Sequence, residues 1–233
     1  MDTDYASREN LIWAARTVSD KVQEIAAYNN YPWGPGEVMR YKSSDTVLLA
    51  IAMDRLLRSR EGENYGLIEM VESEIYRPLG IGRIPTIMMD DGPNRRGVPQ
   101  YGWGMMPNLQ QTAKLAHLMA NHGEFAGQQI LHRGLTRKAV DNIDDRGLPT
   151  GSRYDDGSEA LYDMSYWLTP FNKGADCQLR VPQMAGFGGS YVSIMPNNTI
   201  GFRLADGSDA VDAVWDSSGI REVSHRVRPF CTD

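Results

Sequence analysis

Gly186-Phe187-Gly188-Gly189-Ser190-Tyr191-Val192-Ser193-Ile194-Met195-Pro196-Asn197-Asn198-Thr199-Ile200-Gly201-Phe202-Arg203-Leu204-Ala205 is the stretch on which the fold turns. Runs rich in Tyr, Val, Ile, Thr and Phe flank Pro196-Asn197-Asn198 on both sides. The pattern predicts strands over 191–195 and 199–205 joined by a tight turn, an antiparallel hairpin. The glycines ahead of Ser190 let a backbone approach a ligand closely. A strand edge there can aim an amide at a carbonyl oxygen that becomes an oxyanion; a bulge or tight bend needs the same glycines.

Upstream of the hairpin the apolar spacing is helical. Leu11, Ile12, Ala15, Val18, Val22, Ile25 and Ala26 recur at steps of three and four, which predicts one amphipathic helix over 7–29 with Ser7 as a cap. Ser43 or Ser44 can cap a second helix over 46–58, apolar on most of its surface and expected at the centre. Further helices are expected over 65–76, 109–121 and 136–143, with a long loop from 81 to 103 and a closing helix over 217–230. Helices first and strands last predict a single α+β unit, mainly helical to about residue 160 and antiparallel strands with a C-terminal helix from about 161 to 233.

The chain has 233 residues and a net charge of −6, with 24 Lys and Arg against 30 Asp and Glu. That balance opposes a broad nucleic-acid footprint. No apolar run approaches the ~18 residues of a membrane span. The start Met-Asp-Thr-Asp-Tyr lacks the basic and apolar regions of a signal peptide, so neither a membrane span nor an export address is expected in these residues. Two cysteines, Cys177 and Cys231, leave room for one disulfide and none for a four-cysteine zinc site. His117, His122, His132 and His225 lack ligand spacing, so no metal and no cofactor is assigned. Asn197-Asn198-Thr199 matches a glycosylation pattern but reads as the hairpin turn.

One other segment carries chemistry. Pro35-Gly36-Glu37-Val38-Met39-Arg40-Tyr41-Lys42-Ser43-Ser44-Asp45 delivers a tyrosine and then a serine two residues on, just before a buried helix. Hydroxyls fixed at a helix entrance can relay a proton; equally, Ser43 can be an N-cap and Tyr41 a packed aromatic.

Taken in order, four motifs resemble the C-terminal part of the serine β-lactamase and penicillin-binding-protein superfamily, and most of all its class C β-lactamase-related esterase or amide-hydrolase branch. They are Pro35 to Ser43, Glu74-Ile75-Tyr76-Arg77-Pro78-Leu79-Gly80, the run from Gly102 through Gly123 to Leu131, and Phe187-Gly188-Gly189. The resemblance spans about Trp33 to the end. It implies a β-lactamase/DD-peptidase-like α+β domain without the family's N-terminal strands and nucleophile helix. It implies Tyr41 as general base or proton relay, Ser43 as the hydroxyl that holds a lysine, and the Ser190 amide as half of an oxyanion hole. Phe187, Gly188, Gly189 and Trp103 would line the substrate cleft, with Trp33 as a second wall. Phe187 stands where many relatives carry a cation, which turns the expected substrate from penicillins toward small-molecule esters or amides.

The family nucleophile lies in S-x-x-K, and no serine in these 233 residues has lysine three positions on. The expectation is a C-terminal portion that is inactive alone. The alternative is a non-catalytic relative that keeps the cleft to bind a ligand or partner. Without N-terminal strands, the segment 191–205 would expose a sheet edge through which copies could self-associate.

Overall fold

The computed structural model describes residues 3–27, 33–34, 36–93, 96–141, 147–153, 157–174, 176–186, 189–205 and 218–231. The chain forms two compact units, one of Met1–Gly34 with Tyr41–Asn108 and one of Pro35–Arg40 with Leu109–Asp233.

The first unit is mostly helical. The single helix expected over 7–29 is two, α1 (Thr3–Ala14) and α2 (Val18–Ala26), and Ser7 lies inside α1 rather than capping it. The break at Ala15-Arg16-Thr17 needs no glycine or proline. The Asp90 backbone intrudes, its amide donating to Arg16 O at 2.9 Å and its carbonyl accepting from Val18 N at 2.9 Å. Thr17 caps α2 by accepting from Asp20 N. Lys21 of α2 is fully enclosed. Its Nζ donates to Ile12 O at 2.7 Å, on the negative end of α1, and lies 5.3 Å from the Trp13 ring centroid. Burial holds this ammonium below the usual lysine range.

Helix α3 (Ser43–Glu61) is longer than expected at both ends and is not apolar all round. It buries one stripe of Ser44, Val47, Ala50, Ile51, Asp54 and Arg58, and leaves Leu49, Met53 and Leu56 exposed. Val47 and Ile51 pack with Ile12, Val18 and Ile25 into the core of this unit. Asp54 anchors the next element, α4 (Leu67–Met70), which continues as a π-helical turn over Val71–Tyr76. The span 81–103 is not all loop: β1 (Met88–Met89) pairs antiparallel with β2 (Val98–Pro99), and Met89 and Val98 complete the core.

The second unit begins with α5 (Leu109–Ala120), whose exit through His122 and Gly123, both at positive φ, agrees with the sequence. A small ladder of β3 (Glu124–Phe125) with β4 (Gln128–Gln129) and helix α6 (Arg133–Val140) follow. The sheet starts at Leu148, earlier than the sequence indicates. Among the described residues it has six antiparallel strands: β5 (Leu148–Arg153), β6 (Glu159–Asp163), β7 (Tyr166–Asn172), β8 (Gln178–Gly186), β9 (Ser190–Ile194) and β10 (Ile200–Arg203). They lie in the order β10-β9-β8-β7-β6-β5. The expected hairpin is β9–β10, with Ile200 opposite Ile194 and Arg203 opposite Tyr191.

Alternation along the strands sends Leu161, Tyr166, Leu168 and Ile194 to one face. Ala139 and Val140 of α6, with Met119 and Ala120 of α5, cover them. Phe171, Val181 and Met195 point to the other face, where α7 (Ser218–Val227) brings Ile220 and the tail brings Phe230. Cys177 and Cys231 form a disulfide, Cα–Cα 5.6 Å, that ties this tail to the β7–β8 connection. Asn197 in the hairpin turn is buried, and its Nδ2 donates to Ser224 O at 3.0 Å and Arg228 O at 2.7 Å. The amide thus clamps α7 to the sheet.

Candidate functional site

The first group of candidate residues sits where α3 begins. Lys42 is the extended residue before the helix, and Ser43 is its first helical residue rather than its cap. Tyr41 is 44% exposed, Ser43 half-buried and Ser44 fully buried, so the helix start is held from below while the tyrosine ring remains reachable. Gly102 packs directly on this turn. A Cβ there would collide with the Ser43 carbonyl oxygen and stand 2.8 Å from Val47 Cγ2, so only glycine lets the strand of chain ahead of Trp103 run against the start of α3. The structure therefore brings the Trp103 loop beside Ser43. Trp103 itself is 48% exposed and meets Trp13 edge-to-face, with centroids 5.8 Å apart.

A buried ion pair holds α3 in place. Asp54 Oδ2 accepts from Arg58 Nε at 2.7 Å, and Asp54 Oδ1 accepts from the first amide of α4, Leu67 N, at 2.8 Å. Arg58 also donates to the Glu63 carbonyl. Outside this pair, Arg96 reaches Glu72 at 2.6 Å, and that hydrogen bond draws the Glu72 carboxyl below the usual glutamate range.

The second group is the glycine-rich turn between β8 and β9. Phe187 and Gly188 lie outside the described residues. Gly189 has φ +84°, and a Cβ there would collide with Arg203 Nη2. Arg203 Nε donates to Gly189 O at 2.8 Å, and its guanidinium lies 5.3 Å from the Tyr191 ring centroid. Ser190 is half-buried. Its Oγ donates to Ala205 O and accepts from Ala205 N, both at 3.1 Å, two residues past Arg203, where the β9–β10 ladder ends.

One sequence expectation is corrected here. The Ser190 strand is not an edge, because β9 has β8 on one side and β10 on the other, and the edges of the described sheet are β5 and β10. Arg203 and Ala205, which grip the turn, were missed by reading the sequence. The available signal was an arginine placed directly after the alternating Ile200 and Phe202.

His122 Nε2 lies 2.6 Å from Asp141 Oδ1, a link between the exit of α5 and the end of α6. Among the described residues no group of three or more His, Cys, Asp or Glu is placed to hold a metal ion. No helix among them is long and apolar enough to cross a membrane.

Neither a known protein family nor a curated protein matches this sequence. Solved structures do match. One, described as a "Putative 6-aminohexanoate-dimer hydrolase from Bacillus anthracis", superposes with a TM-score of 0.63 at 18% identity over 97% of this chain. The chain spans 56% of the length of that protein. The likeness is one of fold, an arrangement of helices with an antiparallel sheet.

Proposed function

We propose that this chain is the C-terminal portion of a β-lactamase-related serine hydrolase, of the class C-like branch, that acts by acyl transfer on small esters or amides. The observation that carries the proposal is Tyr41-Lys42-Ser43 presented at the first turn of α3, with an exposed tyrosine, in a chain whose fold matches that of a hydrolase.

In this reading a serine hydroxyl attacks the substrate carbonyl, and Tyr41 takes its proton and passes it to the leaving group, before water releases the acyl group. Ser43 holds a lysine beside Tyr41 by a hydrogen bond. The Ser190 amide supplies one of two donors to the oxyanion, where loss of a single donor typically costs about 10²–10³ in rate. The serine and lysine of S-x-x-K are not among these 233 residues, so the chain by itself is nearly inert, since losing a nucleophile costs several orders of magnitude.

The same missing motif favours a second reading, a non-catalytic relative that keeps the cleft for binding. Purified chain is assayed with p-nitrophenyl esters and a chromogenic cephalosporin, and treated with a serine-directed phosphonate. The proposal expects no saturable turnover and no labelling. Turnover abolished by Tyr41→Phe, or burst labelling, overturns the inactive-portion reading. An in-frame S-x-x-K encoded upstream separates the hydrolase from the binding protein.

A further inference from the structure

Four residues of α5, Gln110, Ala113, Lys114 and His117, fall at helical spacing on one face and overlook the edge strand β10. With Ile200 and Phe202 of β10 and Phe125 of β3 they line a groove of about 480 Å³, within the roughly 300–1,000 Å³ usual for small-ligand sites. Ile200 and Phe202 stand on the same side of β10 because they are two residues apart, while Gly201 between them faces Ile220 of α7. The groove wall is almost wholly apolar. Phe125, Ile200, Phe202 and Ala113 each keep part of their surface in it, and Phe125 is fixed by an edge-to-face contact with His117, centroids 5.9 Å apart. His117 is in turn held by Asn121, Nδ2 to Nε2 at 2.8 Å.

Among the described residues the lining has one charged member, Lys114, a half-buried cation. It lies midway along α5, with the Gln110 amide one turn before it on the same face. A neutral hydrocarbon would leave this end of the groove unused, and a cation would be repelled from it. We propose that the groove binds an amphiphilic monocarboxylate, a medium-chain or aromatic acid. The apolar body lies against Phe125, Phe202, Ile200 and Ala113, and the carboxylate accepts hydrogen bonds from Lys114 Nζ and Gln110 Nε2. An ammonium has three donors, so it can take the carboxylate alongside a partner in the chain. The site is separate from the residues given catalytic roles above and does not depend on them.

The test uses the full chain with decanoate and decanol as probes, titrated by calorimetry. Decanoate is expected to bind saturably and more tightly than decanol. Lys114→Met, which keeps the stem and removes the charge, should weaken decanoate roughly tenfold and leave decanol unchanged. Ala113→Phe, which fills the groove, should abolish binding of both. Equal affinity of wild type and Lys114→Met for decanoate would overturn the proposal, and this comparison suffices alone if Ala113→Phe does not fold. Binding that survives in a folded Ala113→Phe variant would also overturn it. So would groove variants that change only the oligomeric state in sedimentation, because the groove would then be an interface between copies.

Discussion

Replacing Asp54 with alanine tests whether α3 is held by its buried ion pair or merely by its apolar stripe. Asp54 is fully buried and Arg58 is 5% exposed. In Asp54→Ala the guanidinium loses its bonds at 2.7 and 3.3 Å and keeps the Glu63 carbonyl and the Glu69 carboxylate, 4.0 Å away, while Leu67 N loses its acceptor. Stranding one member of a buried pair costs about 3–5 kcal/mol, a large part of the ~5–15 kcal/mol that holds an ordinary domain together. The double variant Asp54→Leu/Arg58→Met removes both charges and fills similar space. The cap on α4 and the bond to Glu63 are then lost, roughly 1 kcal/mol each, along with the long contact to Glu69. Urea unfolding followed by circular dichroism should give the single variant a loss of about 3–5 kcal/mol and the double a loss of at most ~2 kcal/mol. The reasoning fails if Asp54→Ala costs under ~1 kcal/mol, or if the double variant is no better than the single.

Three further outcomes are expected. Gly189→Ala should lower the melting temperature through both its positive φ and its collision with Arg203. Adding Arg203→Ala should recover only part of the loss, so full recovery would show that the backbone conformation costs nothing. Cys177 and Cys231 are 54 residues apart, and opening that loop by reduction should cost about 4 kcal/mol in the chain-entropy account; melting unchanged by a reductant would contradict it. The Glu72 carboxyl is held low by Arg96, so its contribution is fully present above the ordinary glutamate pKa and is lost as pH falls through the lowered value. Wild type should therefore lose stability relative to Glu72→Gln in that acid window, and parallel pH profiles would refute the assignment.

What the sequence revealed and hid has physical causes. Helix α5, the closing helix and the β9–β10 hairpin were legible because each carries its own period and its own stop, His122-Gly123 for α5 and Pro196 to Asn198 for the hairpin. The four strands β5 to β8 were not. Strand β7 is buried on both faces at Leu168, Thr169, Pro170 and Phe171, which erases the alternation, and Pro170 and Pro182 sit inside paired central strands where proline ordinarily argues against a strand. The break between α1 and α2 was invisible because its cause, the Asp90 backbone, lies more than seventy residues downstream. Exposure of Leu49, Met53 and Leu56 on α3 likewise follows from packing rather than composition. Within the candidate site, Tyr41 and Ser43 were readable from their place before a helix. The grip of Arg203 and Ala205 on the glycine-rich turn runs between side chains and backbone atoms 14 and 15 residues apart, which no local pattern records.

The central proposal is that this chain is the part of an acyl-transfer hydrolase that lacks the nucleophile, and treating the purified chain with p-nitrophenyl esters and a serine-directed phosphonate tests it most directly. The account predicts no saturable turnover and no labelling, because neither the serine nor the lysine of S-x-x-K is among these residues. Turnover abolished by Tyr41→Phe, or burst labelling by the phosphonate, would contradict it.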